Sequence, residues 1–542
     1  MSRYPDTRWA LRCKAMDDIT ATTAGPVRGT VVSGIRTWRG VPYGADTSGP
    51  NRWRAPSVPE PWDGVRDCHE FGAVAPQPVY SYKDSVRGDE DCLNLDIVRP
   101  DTDDGDLPVV VYLHGGSFIV GSSHETMLRG YNFVRNLNVV YVSVNFRLGV
   151  LGYLDLRSLG DGDCVANPAV RDQLLALRWV NENIRAFGGD PGNVTLMGES
   201  AGGAAVTTLM CVPSAEGLFH KAIAQSAPAA TLHAPVQSEY WVQQLLGAMA
   251  LPLETTCAEL RGEDAADLVR AGQSMMWRSR ELLQLNSCYG PTVDGDLLSE
   301  HPFDAFDAGR QAKVPLLIGT NNDEASVTKL LYLRQTARSR AAARMLDAYD
   351  HSNSAALLDA YDGAVERTDF ARMLTDAVFW APSLRIAEAH SRSADTWMYR
   401  FDYAPAALRW IGLGAMHSFE LTAVFAAHRE SRTHTLTRFG GIDDLSEVTA
   451  EMQAYWGNFI HHSIPGSGWP RYRLAGDTLP GRATRIFDSE STVVYDPRPH
   501  LRRVWRNYDM REWGAGRPDI LEIRGSFPDG DTVTGEFPGE NH

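Results

Sequence analysis

In Gly198-Glu199-Ser200-Ala201-Gly202 two glycines flank a serine at the spacing that can lift a hydroxyl out of a tight turn for nucleophilic attack. Glycine allows strand and helix to approach closely there, and a following helix would place its positive N-terminal end where an oxyanion forms. The same pattern also arises as a plain Gly/Ser turn, so the surrounding elements must decide. A hydroxyl nucleophile also needs unobstructed backbone donors for the carbonyl oxygen. His114-Gly115-Gly116-Ser117-Phe118 offers such a loop. Alone, its glycines need only turn the chain at a strand end; with Ser200 downstream, the N–H groups of Gly115, Gly116 and Ala201 are the expected oxyanion hole.

These residues need a scaffold, and the hydrophobic pattern supplies one. Pro108 to Leu113 is a continuous, β-branched apolar run ending at Gly115-Gly116, as expected of a strand buried on both faces. Val139 to Val144, Val194 to Met197, Ala222 to Ala224, Val314 to Ile318 and Met398 to Phe401 repeat it, with helical segments between most of them. Ser200 thus follows one strand and precedes a helix, and the glycine loop follows another. From Val170 to Phe187, apolar residues at Leu174, Leu177, Val180, Ile184 and Phe187 recur at helical spacing, and Gly188-Gly189-Asp190-Pro191 ends the helix. The pattern predicts an α/β fold with a large, mostly parallel sheet.

The chain has 542 residues, 43% apolar and 22% charged, enough for a large core and unlike a disordered or collagenous sequence. Its 68 acidic and 52 basic residues leave a formal charge of −16, which repels nucleic acid and anionic membrane surfaces. No apolar run is long enough to span a bilayer, and Arg3, Arg8, Arg12, Lys14, Asp17 and Asp18 interrupt any signal-peptide core. A cytoplasmic location is expected. The seven cysteines, in no CxxC pair, are expected to be thiols rather than a disulfide framework or zinc site. No H-E-x-x-H motif or clustered His/Asp spacing points to a metal, and no cofactor is expected.

Together with Arg39-Gly-Val-Pro-Tyr43, Glu90-Asp-Cys-Leu-Asn-Leu95, Asn145-Phe-Arg-Leu-Gly149, Asp172-Gln173, Phe187-Gly-Gly-Asp-Pro191, Val293-Asp-Gly295, Gly319-Thr-Asn-Asn-Asp-Glu324 and Trp469-Pro470, these motifs resemble the type-B carboxylesterases of the α/β-hydrolase fold, the family of para-nitrobenzyl esterases and cholinesterases. The resemblance covers most of the length. One domain is expected over residues 1–524; the stretches near 231–284 and 329–376, helix-rich by composition and set between strands, are expected to be cap insertions over an active-site gorge, and the Gly-, Pro- and acid-rich tail from 525 to 542 to be flexible. The resemblance implies a serine hydrolase of small carboxylic esters. The family's acid falls on Glu324 and its base on His417, so the triad reads Ser200, Glu324, His417 in the chain order of this fold. Among 15 histidines, His461, His462 and His114 are rivals for the base, and His114 is better assigned to shaping the oxyanion loop. The pairs Arg147 with Asp172 and Arg52 with Glu90 resemble the family's internal ion pairs, and Ser226 a serine near the base.

Other positions depart from the pattern. Cys92 is present, but its usual loop partner is Ala75; Cys68 is the alternative, and a reduced pair is expected. Cholinesterases stack a quaternary ammonium on a tryptophan in this loop, whereas only Tyr80 and Tyr82 lie between Ala75 and Cys92. Leu285, Ser287, Cys288 and Tyr289 are expected to line a roomy acyl pocket, and Glu199 to bias the electrostatics of the cleft. Carbamate or amide hydrolysis by the same triad is the enzymatic alternative. A non-catalytic adhesion or scaffold protein of the same fold is the alternative of another class, and the intact triad argues against it. Oligomeric state is not legible.

Overall fold

In a computed structural model, residues 16–79, 85–160, 163–278, 288–331, 333–429, 432–437, 440–474 and 480–511 are described. The strands among them are β1 (Met16–Ala21), β2 (Pro26–Val32), β3 (Ile35–Pro42), β4 (Arg66–Asp67), β5 (Gln77–Pro78), β6 (Val86–Arg87), β7 (Asn94–Pro100), β8 (Leu107–Leu113), β9 (Val140–Val144), β10 (Gly189–Glu199), β11 (Lys221–Gln225), β12 (Leu316–Asn321), β13 (Thr396–Phe401), β14 (Ala483–Phe487) and β15 (Thr492–Tyr495). One sheet holds them in the order β1-β2-β3-β7-β9-β8-β10-β11-β12-β13-β14-β15, with β4 on β2, while β5 and β6 pair separately.

From β9 to β14 every neighbouring pair is parallel. All but β14 are the strands expected from the apolar runs, and together they make the parallel core of the sheet. Antiparallel pairs extend the sheet at both edges, where β1, β2 and β3 are joined by turns of a few residues and β15 folds back on β14. Those strands alternate buried and half-exposed positions, a weaker signal than a continuous apolar run.

Burial on both faces explains the β8 sequence. Val109, Val111 and Leu113 belong to one core, Val110 and Tyr112 to the other. The helix Pro168–Asn183 and the turn Ile184–Phe187 lay Leu174, Leu177, Val180, Ile184 and Phe187 in the first of these cores. Helices Pro235–Ala248, Cys257–Leu260 and Ala265–Arg278 fill the excursion after residue 231, and Gln335–Tyr349, His351–Asp359 and Arg367–Thr375 the one after 329. The tail from 525 to 542 lies outside the described residues. Among the described residues no helix is long and apolar enough to cross a membrane.

Two buried ion pairs tie loops to this frame. Arg147 donates from Nε and Nη2 to the two oxygens of Asp172 at 2.8 and 2.6 Å, and Arg52 likewise to Glu90 at 2.6 and 2.5 Å. Removing one partner of such a pair leaves an uncompensated charge, at a cost of about 3–5 kcal/mol. The cysteine expectation needs correction. Cys164 and Cys257, 93 residues apart, form a disulfide that fastens the helix Cys257–Leu260 to the loop before Pro168. The spacing of two single cysteines carries no sign of this, because the chain must first fold to bring them together. Cys68 and Cys92 are separate buried thiols.

Candidate active site

Parallel strands bring their C-terminal ends to one edge of the sheet, where the loops of an open α/β fold gather reactive groups. β10 ends at Glu199, and Ser200 follows with φ 56° and ψ −126°, a backbone state that an L-residue holds only under constraint from its surroundings. The helix Ala201–Leu209 begins directly after it. A side chain at Gly202 would run into the Leu113 carbonyl at the end of β8, so glycine is required for strand, turn and helix to pack this closely.

Behind the serine stands His417. Its Nε2 lies 2.9 Å from Ser200 Oγ and its Nδ1 2.5 Å from Glu324 Oε2. Glu324, on the loop after β12, is 2% exposed. Its second oxygen, Oε1, accepts the Asn321 backbone N–H at 2.6 Å. This carboxylate therefore has a fixed orientation, and one oxygen remains for the imidazole.

The glycine loop lies against the serine. A Cβ on Gly115 would sit 3.0 Å from Ser200 Cβ, while Gly116, at φ 117°, carries the chain into a turn closed by Val120 N–H on its carbonyl at 3.0 Å. Among the described residues the N–H groups of Gly115, Gly116 and Ala201 donate to no protein acceptor. They are available to a developing oxyanion. His114 stacks on Phe146 at 4.5 Å, and burial pulls its pKa down to about 4, which keeps it neutral beneath the loop. The rival His461 bonds the Leu137 carbonyl at 2.8 Å at the end of the helix Ile442–His462.

Glu199 is 3% exposed, and its Oε1 lies 3.4 Å from His417 Nε2 while accepting Ser418 Oγ at 2.6 Å. Burial raises its pKa against the opposing pull of His417 and the Ser418 hydroxyl. Burial would lower the His417 pKa, but Glu199, Glu324 and Glu420 together outweigh it and raise it above the ordinary histidine value. Glu420 is fully buried, and its pKa is raised furthest, first by burial and then by Glu199 and Glu324. Three carboxylates around one imidazole cannot all ionise cheaply, and Glu420 is the one whose ionisation its surroundings oppose most.

The sequence had singled out neither Glu420 nor Asn321, Ser418 and Phe379. The Phe379 ring, on a π-helical turn from Asp376 to Trp380, lies 4.7 Å from the His417 ring. His-Ser-Phe-Glu, with charges one turn apart, was the available signal for Glu420; nothing comparable marked Phe379. Of the expected acyl-pocket residues, Cys288 and Tyr289 are buried in the main core, Tyr289 against Gly272, while Leu285, Ser287, Tyr80 and Tyr82 lie outside the described residues. Ser226 is buried at φ 46°, with no hydrogen-bond partner for its Oγ. Among the described residues no group of three or more His, Cys, Asp or Glu side chains converges as metal ligands.

Residues 16–484 match the model of the carboxylesterase family. A para-nitrobenzyl esterase of Bacillus subtilis is 34% identical over 501 residues, which cover 90% of this chain and 98% of that protein. A rabbit (Oryctolagus cuniculus) cocaine esterase is 31% identical, with 84% and 90% of the two chains covered. A solved para-nitrobenzyl esterase structure superposes with a TM-score of 0.79 at 33% identity, over 90% of this chain and 99% of the other.

Proposed function

Because the chain belongs to the carboxylesterase family and is a serine hydrolase of carboxylic esters, we propose that Ser200, His417 and Glu324 carry its reaction. One observation supports this above all: a single imidazole bridges the Ser200 hydroxyl and the buried Glu324 carboxylate at 2.9 and 2.5 Å.

In this reading Ser200 Oγ attacks the ester carbonyl carbon as its proton passes to His417 Nε2. The charge that moves to the carbonyl oxygen is met by the N–H groups of Gly115, Gly116 and Ala201. His417 then returns the proton to the departing alkoxide as the ester C–O bond breaks. Water, deprotonated by the same nitrogen, releases the acid from acyl-Ser200. Glu324 holds the Nδ1–H tautomer and stabilises the imidazolium. The helical excursions near 231–284 and 329–376 serve as a cap over this edge of the sheet. Neutral esters with short to medium or aromatic parts are the proposed substrates.

The test combines substitution with covalent trapping. Ser200→Ala and His417→Ala should each lower kcat on the order of 10⁴ to 10⁶-fold, since the members act as a unit. A fluorophosphonate should leave one adduct, mapped to the peptide carrying Ser200. An adduct on Ser226, or near-native turnover by Ser200→Ala, would overturn the assignment.

A further inference from the structure

Away from Ser200 and His417, a cavity of about 300 Å³ opens behind the loop that carries Glu324. Neither Ser200, Glu324 nor His417 lines it. Its wall is cationic, with Lys329, Arg372, Arg400 and Arg498 together with His500, in a chain whose formal charge is −16. Asp323 is the one carboxylate of the lining, and its Oδ2 accepts the Ala415 N–H and the Asn322 amide, both at 3.2 Å. Arg400 and Arg498 are backed by Asp402 and Asp376. Four permanent cations therefore face three carboxylates, and the balance remains positive before His500 is counted.

The donors are incompletely used. Arg498 gives Nη1 to Asp376 at 2.7 Å and Nη2 to Asn322 Oδ1 at 2.6 Å, which fixes the guanidinium at the cavity wall with further N–H groups to spare. Lys329 spends one donor on the Gly412 carbonyl at 2.8 Å. Arg372 makes no ion pair among the described residues. Ser326, also in the lining, is 1% exposed, and its Oγ has no hydrogen-bond partner. A buried hydroxyl without a partner costs free energy unless something else bonds it. Guanidinium forks, an ammonium and a hydroxyl around one space are the donor set that receives carboxylate or phosphate oxygens. The volume is that of a small-metabolite pocket and exceeds the needs of a bare inorganic ion.

We propose that this cavity binds a small organic oxyanion, a carboxylate or phosphate group held by Arg498, Arg372 and Lys329 with Ser326 as a further donor. The ligand would rest on the loop that flanks Glu324. Asp323 bonds Ala415 from both its backbone and its side chain, so the same wall also touches the segment leading to His417.

The test is isothermal titration calorimetry of the full chain with citrate, inorganic phosphate and pyrophosphate, at constant ionic strength set with sodium chloride. One-to-one saturable binding of at least one probe is expected; citrate alone identifies a carboxylate ligand and the phosphates alone a phosphoryl ligand. Arg372→Ala, at an exposed position, and Ser326→Ala should each weaken that binding roughly tenfold or more, as for a lost hydrogen bond to a charged group. Ser200→Ala should bind as the native chain does, which separates this site from the ester reaction. Absence of saturable heat with all three probes, or unchanged affinity in Arg372→Ala, would overturn the proposal.

Discussion

Asn321 holds both halves of the proposed acid–base pair at once: its backbone N–H donates to Glu324 Oε1 at 2.6 Å, and its side-chain amide donates to the Met416 carbonyl beside His417 at 2.8 Å and to Glu420 Oε2 at 2.5 Å. The last residue of β12 thereby joins the acid loop to the base loop across a gap of 95 positions in the chain. A rigid strand end is a suitable anchor, because the geometry of proton transfer tolerates little displacement.

Asn321→Ala keeps the backbone bond to Glu324 and removes only the side-chain bridge. We expect kcat/KM to fall by up to about 10²-fold, as for a misplacement on the order of 1 Å, with the fluorophosphonate still labelling Ser200. Stopped assays across pH, with near-UV circular dichroism as the control for folding, provide the measurement. Native kcat and an unmoved pH profile would show that the base loop holds itself in place.

Substrate choice gives a second expectation. No tryptophan lies between Ala75 and Cys92 to serve as a cation platform, although the buried charge of Glu199 beside His417 attracts cations at short range. A neutral butyrate ester should therefore have a higher kcat/KM than butyrylcholine at equal leaving-group pKa and moderate salt, by a graded margin. An advantage for the choline ester would reveal a cation site formed by other residues.

How far the sequence reading reached follows from the kind of signal each element leaves. All strands of the parallel core but β14, where Thr484 and Arg485 interrupt the apolar run, were legible because burial on both faces makes them continuous apolar runs, and Ser200 because its turn demands glycine on either side. The antiparallel edge, half-exposed, left only a faint alternation. Glu324 and His417 came from family resemblance, since no local spacing links two residues 93 positions apart. Asn321, Ser418 and Phe379 act through contacts that exist only after folding, and a chain of single cysteines gives no sign of which two will meet.

The Cys164–Cys257 bond yields a stability expectation. It closes a loop of 93 residues, and constraint of the unfolded chain by a loop of this size is worth about 4–5 kcal/mol in the entropic account. Cys257→Ser should lower the stability by about 2–5 kcal/mol, read as a lower urea midpoint, with a slope that rises as the unfolded chain is freed to expand. Such a bond persists in oxidising surroundings, whereas a reducing cytoplasm would keep the two thiols apart. Unchanged midpoints for the native chain with and without dithiothreitol, with thiol titration showing that reduction was complete, would mean the crosslink contributes nothing.

The pH dependence of turnover tests the electrostatics around His417. Only the neutral imidazole can take the Ser200 proton, so kcat/KM falls as pH drops through the His417 pKa of the free enzyme. Burial opposes the charged imidazole, but Glu199, Glu324 and Glu420 favour it more, and the net shift is upward. The acid limb should accordingly lie above the value near 6.5 of an ordinary histidine. Glu199→Gln removes a charge 3.4 Å from Nε2 while leaving an acceptor for Ser418. It should move the limb down by roughly 1–3 pH units, the usual effect of one close opposite charge. Glu420→Gln is the contrasting variant: burial and its two carboxylate neighbours oppose the ionisation of Glu420, which contributes least of the three to the His417 shift, so an amide in its place should move the limb down by less than Glu199→Gln does. The profiles should be measured on an ester whose chemistry is rate-limiting, with retained labelling of Ser200 as the control. A limb that stays put in Glu199→Gln, or that shifts equally in both variants, would show that the charge on His417 is set by some other balance than the one derived from these three carboxylates.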